Sequence, residues 1–191
     1  MGSEMCIRDS ASIVYLGLLK TFTPLSIPHF FRSIGQAQLL AFSTSSSGAT
    51  LPVTMKCAEE KLGTSKEVSS FVLPLGATIN MDGTALYQAV AAVFIAQASG
   101  IDLNTGAQIT IVLTAVLASV GTAAVPGAGI VMLIIILEAI NVPAAGIALI
   151  LGVDRILDMC RTAVNVTGDA AVTAVIAASE KQLDPPPATN A

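Results

Sequence analysis

Apolar residues along this chain fall into long blocks, not into the strict alternation of a half-buried strand. Ala11 to Leu19 reads as the end of an upstream membrane helix. Lys20 to Arg32, with two prolines and the sole histidine, reads as a loop. From Ser33 to Leu62 two apolar arms flank the polar run Ser43-Thr44-Ser45-Ser46-Ser47-Gly48. Each arm is shorter than the about 20 residues needed to cross roughly 30 Å of hydrocarbon, so the pair predicts a re-entrant hairpin over 33–65 with a polar tip. Phe71 to Ala98 is long enough to span. It is interrupted at Asn80-Met81-Asp82-Gly83-Thr84, and the flanking Gly76 and Gly83 favour a local break, which predicts a broken helix over 68–98.

Leu103 to Leu137 carries no charge, and its middle, Ser119 to Gly129, holds one proline and three glycines. These break a helix, and non-helical backbone at membrane depth survives only where it is buried or lines a cavity. A second re-entrant hairpin over 105–140 is predicted, the alternative being two ordinary spans joined by a Gly/Pro turn. The last helix, over 145–179, bears Asp154, Arg155, Asp158, Arg161, Asn165 and Asp169 in otherwise apolar sequence. At about 100° per residue, Asp154, Asp158, Arg161, Thr162, Asn165 and Asp169 share an arc of roughly 100°, with Arg155 at its edge.

Composition decides what solvent the apolar blocks face. The 191 residues are 53% hydrophobic and 12% charged, with mean hydropathy +0.77. Between Val68 and Val153 the charged residues are Asp82, Asp102 and Glu138 alone. A soluble surface needs roughly 25–35% charge, and disorder needs low apolar content, so both classes are excluded. The acidic balance (pI ≈ 4.8) excludes nucleic acid as a partner. Three scattered cysteines make neither a disulfide framework nor a metal spacing. An all-α integral membrane protein in the lipid bilayer remains, and the polar stripe of its last helix is expected to face protein or a cavity. Met5 to Ser10 resembles the translation of a sequencing adapter, so residues 1–10 are expected to be an assembly artefact, and the chain the C-terminal part of a longer protein. Residues 33–180 form the core, and 181–191 read as a flexible tail.

The polar inventory of these broken segments suits small charged solutes. Carboxylates, Asn oxygens and unwound carbonyls are the ligands that hard monovalent cations want. Arg161 offers a planar bidentate donor to a carboxylate. Asp158, a turn earlier, offers a partner to an ammonium, and hairpin tips rich in N–H groups suit a second carboxylate. The sum is a site for a small acidic zwitterion beside Na⁺. No Ser–His pair or metal cluster competes with it, and the chain is not expected to be an enzyme. An intramembrane aspartyl protease also needs two carboxylates in the bilayer, but its Gly-x-Gly-Asp pattern does not occur. Nothing marks a permanent pore.

Four motifs, in order, carry a family resemblance: Ser45-Ser46-Ser47 with Thr50-Leu51-Pro52-Val53-Thr54; Pro74 to Tyr87; Gly121-Thr122 through Val125-Pro126-Gly127-Ala128-Gly129; and Asp158 to Asp169 with Arg161-Thr162 and Asn165-Val166-Thr167-Gly168. Together they resemble the dicarboxylate/amino acid:cation symporter family, which includes glutamate and aspartate transporters. The resemblance implies Na⁺-coupled symport by an elevator-type transport domain in the plasma (cell inner) membrane, in a homotrimer whose scaffold helices lie upstream. It implies that Asp158 holds the substrate amino group and Arg161 its side-chain carboxylate, with Thr84 and Thr162 beside it. Asn165, Ser46, Ser47 and the Val125–Gly129 tip would enclose the remaining groups. Na⁺, transported and not prosthetic, would use Gly76, Asn80, Asn165 and Asp169 at one site. A second site would use backbone near Thr78, Met81, Ser119, Val120 and Thr122, and a third Asn80 and Asp82 plus groups from a helix absent here.

Departures from the pattern sharpen the expectation. Archaeal members place an arginine where Ser45 stands and a small residue where Arg155 stands, so Arg155 is expected to supply a cation near the substrate carboxylate. Gln88 occupies the position of a glutamate in proton-coupled carriers and cannot titrate. Arg161 argues against neutral substrates, Asp158 against a plain C4-dicarboxylate, and Asp169 matches sodium-coupled members.

Overall fold

The computed structural model describes residues 11–184; the predicted artefact (1–10) and the last seven residues of the predicted tail lie outside the described residues. These are mostly helical and include no strand. After a π-helical turn, Ala11–Tyr15, the helices are α1 (Leu16–Phe22), α2 (Ile27–Thr44), α3 (Ser47–Cys57), α4 (Lys66–Ile79), α5 (Asp82–Ala98), α6 (Thr105–Val120), α7 (Ala128–Ala139) and α8 (Leu151–Ser179). Two stretches, Lys66–Ala98 and Leu151–Ser179, are long and apolar enough to cross a membrane.

Local chemistry sets most boundaries. Pro28 sits in the first turn of α2, where its missing N–H costs nothing. The predicted loop over Lys20–Arg32 is therefore confined to 23–26, and helix begins six residues before the predicted hairpin start. Ser45 turns the chain in the left-handed region (φ 53), and Ser46 caps α3 by accepting from the Ala49 N–H. A π-helical turn, Ala58–Leu62, continues α3 until Gly63 (φ 79) ends it. Ser65 and Asn104 cap α4 and α6 in the same way, through bonds from the Val68 and Ala107 N–H groups.

The break between α4 and α5 falls at Asn80 (ψ 66) and Met81 (ψ 52). Its glycines do not make it, contrary to expectation: Gly76 and Gly83 lie in helix on either side and serve close approach. A Cβ on Gly76 would press on the Asp169 carboxylate at 2.7 Å. One on Gly83 would meet the Arg161 carbonyl and Asn165 Oδ1, each at 2.9 Å.

α8 is the central post, touching α1 through α5. One apolar core lies among α5, α6, α7 and the 3₁₀ turn Ala144–Leu149, built on Ile95, Ile111, Leu133, Ile136 and Leu137. The other lies among α1, α2, α4 and the second half of α8, built on Leu19, Phe30, Ile34, Leu73 and the alanines 170, 171 and 174. Small residues let backbones approach, which is how helices associate where lipid is as apolar as they are. α3 folds back on α2 and α7 on α6, so each pair closes at a tip. The predicted tail is tied down at its start: Thr64 bridges Leu183, and the Asp184 N–H donates to the Gly63 carbonyl at 2.8 Å.

Candidate functional site

The polar seam between the two cores gathers residues from both tips, the α4–α5 break and α8. Asp158 is the hub. One carboxylate oxygen is paired with Arg161 Nη2; the other accepts the Gly127 N–H at 2.9 Å, so the second tip is held by α8. Thr162 donates to the Asp158 carbonyl (2.9 Å). Asn165 Nδ2 donates to Thr84 Oγ1 (3.1 Å), and Asn165 Oδ1 accepts the Gly83 N–H (2.8 Å). The first of these bonds closes α8 against α5, and the second anchors the first turn of α5 after the break.

The two tips meet. Ser46 Oγ donates to the Ala124 carbonyl at 2.7 Å, and the Gly48 N–H reaches the same oxygen at 3.3 Å. Ser47 Oγ donates to the Ala77 carbonyl at 3.4 Å. Beneath them a cavity of about 10 Å³ is lined by Ser45, Met81, Thr84, Thr122, Val125, Arg161 and neighbours, room for roughly one water. The tips are thus closed over a site too small for a four-carbon solute. Two buried polar atoms of its lining have no partner, Ser45 Oγ and Arg161 Nη1. A buried donor left unmade is costly.

A second polar group lies at the α4–α5 break. Asn80 Nδ2 donates to Asp169 Oδ1 at 3.0 Å, with Gly76 against the same carboxylate. Asp82, though exposed, accepts from the Tyr15 hydroxyl at 2.7 Å. Among the described residues no three His, Cys, Asp or Glu gather; the oxygen donors are carboxylates, Asn amides and backbone, the set suited to Na⁺.

Most predicted positions converge, but not all. Arg155 is a correction: it is exposed, because one residue past buried Asp154 the helix has turned about 100° away. Around the predicted gate-side Na⁺ site, which calls on backbone oxygens and is untouched by side-chain direction, Met81, Ser119 and Thr122 are buried and Thr78 and Val120 are exposed. The Thr78 hydroxyl is occupied by the Leu75 carbonyl (2.9 Å). Gly129 presses on the Arg161 guanidinium so closely that a Cβ would fall inside it. Sequence reasoning left four participants out of the site: Tyr15, Tyr87, Gln88 and Asp154. For Tyr87 and Gln88 a signal existed, since they follow Thr84 by three and four residues on one helix face; for Tyr15 there was none. An apolar groove of about 1010 Å³ over α5, α6 and the start of α8 shares Tyr87 with this cluster and is otherwise lined by other residues.

The family model for the sodium:dicarboxylate symporter family matches residues 10–179. The chain belongs to that family. Among family members, it is 51% identical to an excitatory amino acid transporter of Caenorhabditis elegans over 160 residues, 83% of this chain and 32% of the relative. It is 56% identical to human excitatory amino acid transporter 2 over 141 residues (74% and 25%). It is 51% identical to mouse excitatory amino acid transporter 3 over 175 residues (91% and 34%). These relatives are transporters, not enzymes. The chain spans about a third of the length of the curated relatives it matches.

Proposed function

We propose that this chain is the core of the moving, elevator-type transport domain of a Na⁺-coupled symporter for acidic amino acids, aspartate or glutamate. The observation that carries the reading is Arg161: a buried guanidinium with one nitrogen on Asp158 and the other unpartnered, at a small cavity between two closed tips. A substrate side-chain carboxylate takes Arg161 bidentately. Its ammonium takes Asp158, so the zwitterion replaces the internal ion pair without stranding either charge. Thr84, Thr162, Asn165, Ser46, Ser47 and the 125–129 backbone close around it. Na⁺ sits on Asn80, Asp82, Asp169, Asn165 and carbonyls near Gly76, Met81, Ser119 and Thr122. The plasma membrane is the site of action, and the full-length protein is a homotrimer with its scaffold upstream of this segment.

The family description favours one second reading, a C4-dicarboxylate as substrate. Uptake of labelled L-aspartate into proteoliposomes by the full-length parent, with an inward Na⁺ gradient or with K⁺ in its place, separates the two. Na⁺-dependent uptake blocked by excess aspartate but not by alanine or succinate is the expected result. Equal competition by succinate would remove the ammonium role of Asp158. Uptake driven by a proton gradient without Na⁺ would overturn the cation assignment.

A further inference from the structure

The apolar groove over α5, α6 and the start of α8 has a direction. α5 lends it Val90, Val93, Phe94 and Gln97, spaced as one helix face. Ile111 and Val112 of α6 form the facing wall, and Val153 and Leu157 of α8 close the inner side. Phe94 (50%), Val112 (56%) and Val153 (52%) stay half exposed along it. α4 and α5 together make Lys66–Ala98, long enough to cross a membrane, so the end of α5 lies at a membrane face. The polar lining residues gather at that end: Gln97 in the last turn of α5, Asp102 in the loop and Gln108 in the first turn of α6. Asp102 is exposed and in no ion pair among the described residues. No Lys or Arg occurs between Lys66 and Arg155. Glu138, at the close of α7, puts a second exposed carboxylate at the same base of this hairpin. The groove is thus apolar along its length and anionic at its mouth.

We propose that this groove holds one phospholipid with a primary ammonium headgroup, its acyl chain along α5, α6 and α8 and its ammonium on Asp102. Lipid tails are as apolar as leucine, so a flat helix face retains no tail in particular. A concave wall meets a chain on several sides and sums many small dispersion contacts. At about 1010 Å³ the groove is at the top of the range of ligand pockets, roughly 300–1,000 Å³. The mouth then chooses the species. A primary ammonium brings three N–H donors to a carboxylate, in charge-assisted hydrogen bonds. A choline headgroup brings the charge without the donors. An anionic headgroup is repelled by Asp102 and Glu138, with no basic residue of this region to offset them.

The test uses the full-length parent in vesicles of phosphatidylethanolamine, phosphatidylcholine and phosphatidylglycerol in equal parts, all with the same acyl chains. After extraction in mild detergent, retained lipid is identified and counted by native mass spectrometry. A single phosphatidylethanolamine per chain is expected, favoured about tenfold over either competitor. Asp102→Asn is expected to bring that preference within about twofold while a lipid is still retained. Val112→Trp fills the groove from an exposed position and is expected to release the lipid. Retention without headgroup preference, or a preference that survives Asp102→Asn, overturns the proposal, and so does a wild type that retains no lipid. Val112→Cys in a cysteine-free background, carrying a photoreactive thiol reagent, identifies the occupant in the membrane and decides the matter if Val112→Trp does not fold. Cross-links to phosphatidylethanolamine support the proposal. Cross-links to residues upstream of this segment mean that the protein's own chain covers the groove, and the proposal is then wrong.

Discussion

The two tips that meet over the polar seam are built on opposite principles. The first is short, made of Thr44, Ser45 and Ser46, and caps the helix that follows it with its own side chain. Ser46 caps α3, Thr50 and Thr54 return their hydroxyls to carbonyls one turn back, and Ser45 to Ser47 are all buried. The second runs from Gly121 to Gly127, is rich in glycine with one proline, and has no side-chain cap on α7. Its Gly127 N–H is satisfied by Asp158, a residue of another helix, and Val125 and Pro126 are exposed. A tip that carries its own caps stays formed whatever binds. A tip whose cap is a carboxylate in the substrate site loses that cap when the carboxylate changes partner. Under the proposed function, the second tip is the one whose closure depends on the occupancy of Asp158.

Arg161→Cys should give the largest effect. Removing a charge-assisted bidentate donor is expected to cut apparent affinity for aspartate about a hundredfold while neutral amino acids gain as competitors. Unchanged aspartate uptake would remove Arg161 from the site. Asp158→Asn breaks the hub. It leaves Arg161 buried with a neutral partner, a change of up to about 5 kcal/mol, and weakens the cap on Gly127. Amide exchange at Gly127 and Ala128 is expected to accelerate while Ser46 to Thr50 stay protected. Equal acceleration at both tips would erase the contrast between them.

Asp169→Asn lies away from both tips. It is expected to raise the Na⁺ concentration for half-maximal aspartate binding by about tenfold, with tip exchange unchanged. By linkage, substrate and Na⁺ should raise each other's affinity by the same factor in the unaltered protein. Ser46→Ala is the mildest change. It removes an N-cap, about 1 kcal/mol, and the bond to the Ala124 carbonyl. Thiol labelling of Val125→Cys in a cysteine-free background should rise a few-fold with Na⁺ dependence intact. No change in labelling would mean the tips do not hold one another.

The helical blocks, the polar run of the first tip, the break near Asn80 and the stripe on α8 were legible because each is a local pattern. Hydrophobic length, turn chemistry and a 100° rotation per residue need no distant partner. At Arg155 that rule reached only the edge of the arc; the cation expected there came from the family resemblance, and the residue is exposed. Local pattern misled at the α2 start, where Pro28 resembled a loop signal but occupies a first turn. Gly76 and Gly83 read as breakers, yet they are smooth helix that makes room for Asp169, Arg161 and Asn165.

From its sequence alone this protein is an all-helical membrane chain with two interrupted segments and one ionisable face, because apolar content and periodicity fix the solvent and the local fold. Which charges meet was decided only by the tertiary structure. Asp158 on Gly127, Tyr87 between Asp154 and Arg161, and Tyr15 on Asp82 join residues 31 to 74 positions apart. Such pairings depend on how α8 is rotated and how deeply each tip descends, and those follow from the packing of whole helices against one another.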